Sequence, residues 1–160
     1  MKIRTFIFLL SIAVSSCKKE SDYIYETNPV TVQQSGAVKN NVKSTTEFIS
    51  IAYADLFGSN ISQGQLTKLG NVYASFGDKK VVEDRIILNF LNVPGLQIPT
   101  TPSINGDTLA FVSKTYKKFY NREPNAFESY YWKEQIRLNA NVSPLVMYYV
   151  LMTSDEYRFY

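Results

Sequence analysis

One helix–turn–helix pattern is written twice in this chain, 63 residues apart, and it limits the fold more than any other feature. Phe48 falls on Phe111, Ile49 on Val112, Tyr53 on Tyr116, Leu56 on Phe119 and Phe57 on Tyr120. In each copy these residues recur at three- and four-residue steps, which places them on one face of a helix. The punctuation repeats as well. Gly58 falls on Asn121, the two residue types best suited to the left-handed position after a helix. Ser62 falls on Asn125, both N-cap types, and Leu69 falls on Trp132. Matching stops and starts make an internal repeat a stronger reading than matching apolar residues alone.

The rest of the chain continues this plan. Ser44 with Glu47 three residues on has capping-box spacing and opens a helix to Phe57, with Ile49, Ala52, Tyr53 and Leu56 inward. Ser62 starts a second helix with Leu66, Leu69, Tyr73 and Phe76 on its buried face and Gly77 as its stop. Asp78 caps a third, Lys79–Leu91, with Val82, Ile86 and Phe90 inward. Residues 92–106, rich in Pro and Gly, read as the hinge between copies. In the second copy Asp107 caps a helix that buries Leu109, Val112, Tyr116, Phe119 and Tyr120, with Lys114, Lys117 and Lys118 on a solvated face. Pro124 and the Asn125–Glu128 box then start a helix, Ala126–Leu138, that buries Phe127, Tyr131, Trp132 and Ile136. Ser143 and Pro144 open the third, apolar helix, and Ser154 can cap a last turn. The expected fold is all-α, a small bundle of about six helices from two similar three-helix units, residues 44–91 and 107–160.

The first 43 residues read differently. Lys2 and Arg4 precede a short apolar run, Phe6–Val14, too short to span a bilayer. Val14-Ser15-Ser16-Cys17 then resembles a bacterial lipobox. That resemblance implies that residues 1–16 are a signal peptide and that Cys17, the chain's one cysteine, becomes a lipidated N-terminus. Removal of 1–16 would take two cations and leave a formal charge of +1, which offers no electrostatic case for nucleic acid. Residues 17–43 are polar and read as a flexible tether. The Cys-Lys-Lys-Glu-Ser-Asp start is similar to lipoproteins of the Bacteroidetes type, which implies an outer-membrane location, periplasmic or surface-exposed.

Tyr116, Tyr120-Asn121-Arg122, Pro124, Tyr131-Trp132 and Ser154-Asp155-Glu156-Tyr157 together resemble a family of small helical repeats of unknown function. That family occurs in secreted bacterial proteins, some of them associated with S-layers. Its pattern runs Leu-Gly-Arg, then Tyr-Trp, then Ser-x-Glu-Phe. Here Asn121 replaces its Gly, and in the first copy Ser59 stands at the Arg position. The resemblance implies an all-helical fold and an extracytoplasmic setting, and no activity.

With no histidine in the chain, serine–histidine catalysis and the usual zinc sites are excluded. No phosphate-binding glycine loop and no calcium-loop spacing occurs, so neither cofactor nor metal is expected. Glu123, Glu128 and Glu134 leave a small carboxylate-dependent glycan hydrolase as a formal alternative. Arg122 follows a helix end, and Glu156 is its expected partner in a structural clamp. Tyr130, Tyr131 and Trp132 cannot all point inward from one helix, and Tyr148-Tyr149 poses the same question. The three consecutive aromatics either fill the core or form a surface for a glycan or protein. The expected protein is therefore non-enzymatic: a lipid-anchored interaction or structural module of the cell envelope, or a glycan-binding surface lipoprotein.

Overall fold

Helix capping, a local interaction, sets the frame on which everything else is placed. In a computed structural model, residues 39–104 and 106–159 are described, all within a unit that spans residues 34–160. The expected signal peptide, Cys17 and most of the tether lie outside the described residues. The described residues form seven α-helices: α1 (Thr45–Phe57), α2 (Gln63–Ser75), α3 (Lys79–Leu91), α4 (Thr101–Ile104), α5 (Thr108–Tyr120), α6 (Ala126–Leu138) and α7 (Pro144–Met152). A 3-10 turn, Asp155–Arg158, follows. They contain no strand, only one isolated antiparallel bridge, Val42 to Phe159. The protein is an all-helical bundle.

The two copies coincide residue for residue over their first two helices. Both α1 and α5 have 13 residues, as do α2 and α6, and all boundaries are offset by 63. The side chains of Ser44, Ser62, Asp78, Asp107, Asn125 and Ser143 each accept the N–H of the third helical residue. Gly58 and Asn121 both take left-handed backbone, with φ of 65° and 52°. The third helices differ, at 13 residues in α3 and 9 in α7.

Helix α1 packs on α2 and α3, and α2 on α3. Helix α5 packs on α6 and α7, and α3 against α7 joins the copies. Tyr157 is fully buried at the junction. Its ring meets Phe48 of α1 and Phe119 of α5 edge-on, with centroids 6.0 and 5.8 Å away. Edge-to-face pairs add about 0.5–1.5 kcal/mol beyond burial, so the last turn holds both first helices together.

Several inward assignments are corrected. Phe76 is exposed because α2 ends at Ser75. Its own backbone is extended, so its side chain leaves the helical stripe. Leu109 has the right angular position, yet its place in the first turn of α5 leaves it 48% exposed. Phe127 is 74% exposed and Tyr131 45%, while Trp132 is buried and Ile136 half-buried. Phe127 lies five residues before Trp132, about 140° around the cylinder, and only Trp132 faces α5.

The linker and the tether end also depart from expectation. Leu96 and Ile98 pack against the core, Gln97 N–H donates to Leu56 O at 2.7 Å, and Ile104 of α4 is buried. Its apolar residues seat it where a free hinge was expected. Lys39–Lys43, assigned to the tether, lies beside the chain end. The Lys43 N–H donates to Arg158 O at 2.8 Å, and its ammonium, buried, donates to Tyr157 O.

Candidate functional site

Asn121 turns the chain out of α5, and its N–H closes on Lys117 O. This directs Arg122 toward both the start of α6 and the terminal turn. Its Nε and Nη2 donate to Glu156 at 2.7 and 2.8 Å. Its Nη1 and Nη2 donate to Glu128 at 2.8 Å each, and Nη1 also reaches Glu123 O at 3.1 Å. A guanidinium has five N–H donors, and these five bonds use them all. The group lies 5.2 and 5.5 Å from the centroids of Tyr116 and Tyr120. Glu128 was read from sequence as a capping residue and as one of three acids for a hydrolase, not as a partner of Arg122. It does cap, accepting the Asn125 N–H at 2.7 Å, and it is also the second carboxylate of the clamp. Its position in the first turn of α6, six residues after Arg122, was the available signal.

These contacts set the charge states. Arg122 is held well above its ordinary pKa by Glu128 and then by Glu156. Burial is the largest single influence and acts to raise Glu128 and Glu156, but the hydrogen bonds and charge of Arg122, with the Asn125 N–H at Glu128 and Lys39 at Glu156, together outweigh it, so both carboxyls stay below their usual range. Lys39 adds a further bond to Glu156 at 3.3 Å. A guanidinium so enclosed has no donor left for an external anion, and the cluster acts as a staple across the turn, α6 and the chain end.

The outer face of α6 is the second feature. Phe127 and Tyr131 are four residues apart with near-parallel rings, centroids 6.2 Å and planes 24° apart. Tyr130 is 65% exposed, and Leu138 continues the apolar surface. Of the three aromatics singled out in sequence, the structure puts Tyr130 and Tyr131 outside and Trp132 inside. The Trp132 indole N–H donates to the Tyr116 hydroxyl at 3.1 Å. Trp132, read from sequence both as a buried residue of this helix and as one of three candidate surface aromatics, is a core residue, because adjacent helical residues diverge by about 100° and only one of the three can face α5. Sequence reasoning put Phe127 in the core and missed it as part of this face. Tyr148 is buried and Tyr149 half-buried.

The acids considered for hydrolysis are held apart by separate partners. Glu123 accepts from Ser113 at 2.6 Å and pairs with Lys117, and Glu134 pairs with Arg137 at 2.6 Å. Those partners lower both carboxyls, the opposite of what a general acid needs. Asp55 moves the other way: burial raises it, while the Tyr157 hydroxyl donates to it at 2.7 Å. Among the described residues no group of acidic, His or Cys side chains could hold a metal ion, and no helix is long and apolar enough to cross a membrane.

Compared with known proteins, the chain matches no family model, no curated protein and no solved structure.

Proposed function

We propose that this chain is a lipid-anchored cell-envelope protein whose helical body is a non-enzymatic interaction module. The observation that carries this reading is the exposed aromatic face of α6, where Phe127, Tyr130 and Tyr131 stand in solvent on a helix seated from its other side by Trp132. Large apolar groups grouped on a surface mark contact sites, since isolated burial in a partner is what offsets their exposure to water. The Val14–Cys17 lipobox supports membrane attachment through Cys17, and the +1 formal charge of a processed chain supports a protein partner over nucleic acid. The capture of Glu123, Glu128 and Glu134 by basic partners supports the non-enzymatic reading. A glycan-binding surface lipoprotein is the second reading, favoured by the near-parallel Phe127 and Tyr131 rings, which form a platform for sugar faces.

Photo-crosslinking in cells tests both. A crosslinker at Tyr130 should capture one envelope protein in stoichiometric yield, and a crosslinker at Lys114 on α5 should not. Phe127→Ser should abolish the capture while leaving thermal stability unchanged within about 0.5 kcal/mol. Polysaccharide captured without protein would replace the first reading with the second. Failure of Cys17→Ser to release the protein from membranes would remove the anchor.

A further inference from the structure

The first copy contains a cavity of about 250 Å³ between α1, α2 and α3. Tyr53, Leu69, Phe90 and Val93 supply its apolar wall, and Gln65, Lys68 and Asn89 its polar groups. Lys68 and Asn89 are exposed at the rim. The Tyr53 ring meets Phe90 edge-on at 5.5 Å, so the apolar side of the cavity presents two rings beside the aliphatic Ile61, Leu69 and Val93.

The second copy shows what fits such a place. Tyr53 and Leu69 correspond to Tyr116 and Trp132, on helix pairs that have the same boundaries and pack on each other in both copies. In the second copy the indole of Trp132 is buried there and its N–H donates to the Tyr116 hydroxyl. In the first copy Leu69 carries no ring, and the cavity lies against both Leu69 and Tyr53. Two further exchanges change the rim. Gln65 replaces Glu128, and Lys68 replaces Tyr131, so a negative charge is removed and a positive one added. Among the described residues Lys68 makes no ion pair.

We propose that this cavity is a binding site for a small aromatic acid, a one- or two-ring carboxylate of indole or phenol type. The ring takes the place that Trp132 fills in the other copy, between Tyr53, Leu69 and Phe90. A ring N–H or O–H donates to the Tyr53 hydroxyl. The carboxylate meets the Lys68 ammonium, with the Gln65 and Asn89 amides beside it. The volume lies just under the range of about 300–1,000 Å³ for drug-sized ligands, which suits a ligand of one or two rings. This site is independent of the α6 face and of the lipid anchor.

The test is titration of the full chain, held in detergent micelles, with indole-3-acetate and with neutral indole, followed by amide chemical shifts and calorimetry. Wild type should bind both, the acid about tenfold more tightly, with shifts confined to α1, α2 and α3. Leu69→Trp should place the chain's own indole in the cavity, weaken both ligands by at least about tenfold, and leave the melting temperature equal or higher. Lys68→Glu should remove the preference for the acid and leave indole binding unchanged. No saturable shift at α1–α3 in wild type overturns the proposal, as does a folded Leu69→Trp that binds like wild type. Should Leu69→Trp not fold, Tyr53→Phe decides. It should weaken indole several-fold and leave 1-methylindole, which lacks the donor, unaffected; equal effects on the two overturn the assignment.

Discussion

The two copies share every boundary of their first two helices and differ in what lies behind the turn that joins them. In the second copy Asn121-Arg122 leads into a guanidinium with all five donors engaged, and an indole fills the space against Tyr116. In the first copy the same positions are Gly58-Ser59, Gln65 and Leu69; the turn is closed by Gln97 N–H on Leu56 O, and a cavity remains. The difference shows which interactions set the frame. Caps and left-handed stops act within a few residues and are kept in both copies. The material between the helices can then change from a filled, ion-bound joint to an open pocket without moving a boundary.

The largest test of this contrast is removal of the staple. Arg122→Ala leaves Glu128 and Glu156 facing each other without their shared cation. Breaking a fully buried pair costs about 3–5 kcal/mol, and the partial exposure of these groups reduces that to about 2–4 kcal/mol. The corresponding change in the first copy, Ser59→Arg, finds Gln65 where the carboxylate would be and should stay within about 0.5 kcal/mol. Urea denaturation measures both. A loss confined to the second copy should also appear in hydrogen exchange, with α5 and α6 opening before α1 and α2. Equal loss of protection in both copies would mean that the clamp is a general brace and the contrast is false.

A smaller effect separates the closing elements. The terminal turn of the second copy is held by Lys43, which comes from before the first copy, whereas the first copy is closed by linker backbone that does not titrate. Burial lowers Lys43 from 10.5 to about 8. Below pH 8 the amine is charged in both states and its burial penalty is fully present. Between about 8 and 10.5 the unfolded chain binds more protons than the folded one, so stability rises with pH. The ceiling is about 3 kcal/mol at 1.36 kcal/mol per pKa unit. Burial also raises the hydroxyls of Tyr116 (to about 12), Tyr120 and Tyr157, whose ionisation on unfolding removes stability above pH 10. A net rise of about 2 kcal/mol should therefore show between pH 8 and 10. Lys43→Met should flatten most of it, leaving the shares of Lys39 and Lys118, which burial shifts the same way. A wild-type curve that falls throughout that window would remove Lys43 from its buried place.

How far the sequence discloses this molecule follows the range of each interaction. Ser62 and Asn125 could be read as caps because capping needs only the next three residues. Arg122 could be paired with Glu156 because a cation after a helix end seeks acceptors, and the two sit 2.7 Å apart. The second partner, Glu128, was hidden behind its local role at the cap. Periodicity gave the face of α5 but not where that face is covered, so Leu109 was misplaced. On α6, Phe127 was put inside because nothing in the sequence says which of two overlapping stripes meets α5. The cavity was least legible, since it is the absence of a side chain. Its trace in the sequence was the pairing of Leu69 with Trp132, which looked like one more apolar match. Lys43 was taken for tether because long-range contacts with Tyr157 and Arg158 leave no local pattern.

The smallest effect concerns the turns themselves. Gly58 and Asn121 occupy the same left-handed position, but only Gly58 lacks a Cβ, and one added there would lie 2.5 Å from the Gln97 amide atoms. Gly58→Ala therefore combines backbone strain of about 1–2 kcal/mol with a displacement of the Gln97 side chain. That side chain is flexible at its end, so the steric share should be the lesser one. Gly58→Ala in a Gln97→Ala background isolates the backbone share, and Asn121→Ala reports the same strain without an added Cβ. Thermal unfolding of the three should give matching backbone costs in the two copies, with an extra few tenths of a kcal/mol for Gly58→Ala alone. If Asn121→Ala cost nothing while Gly58→Ala kept its full cost without Gln97, the two turns would not be the same device. The common frame would then rest on the N-caps alone.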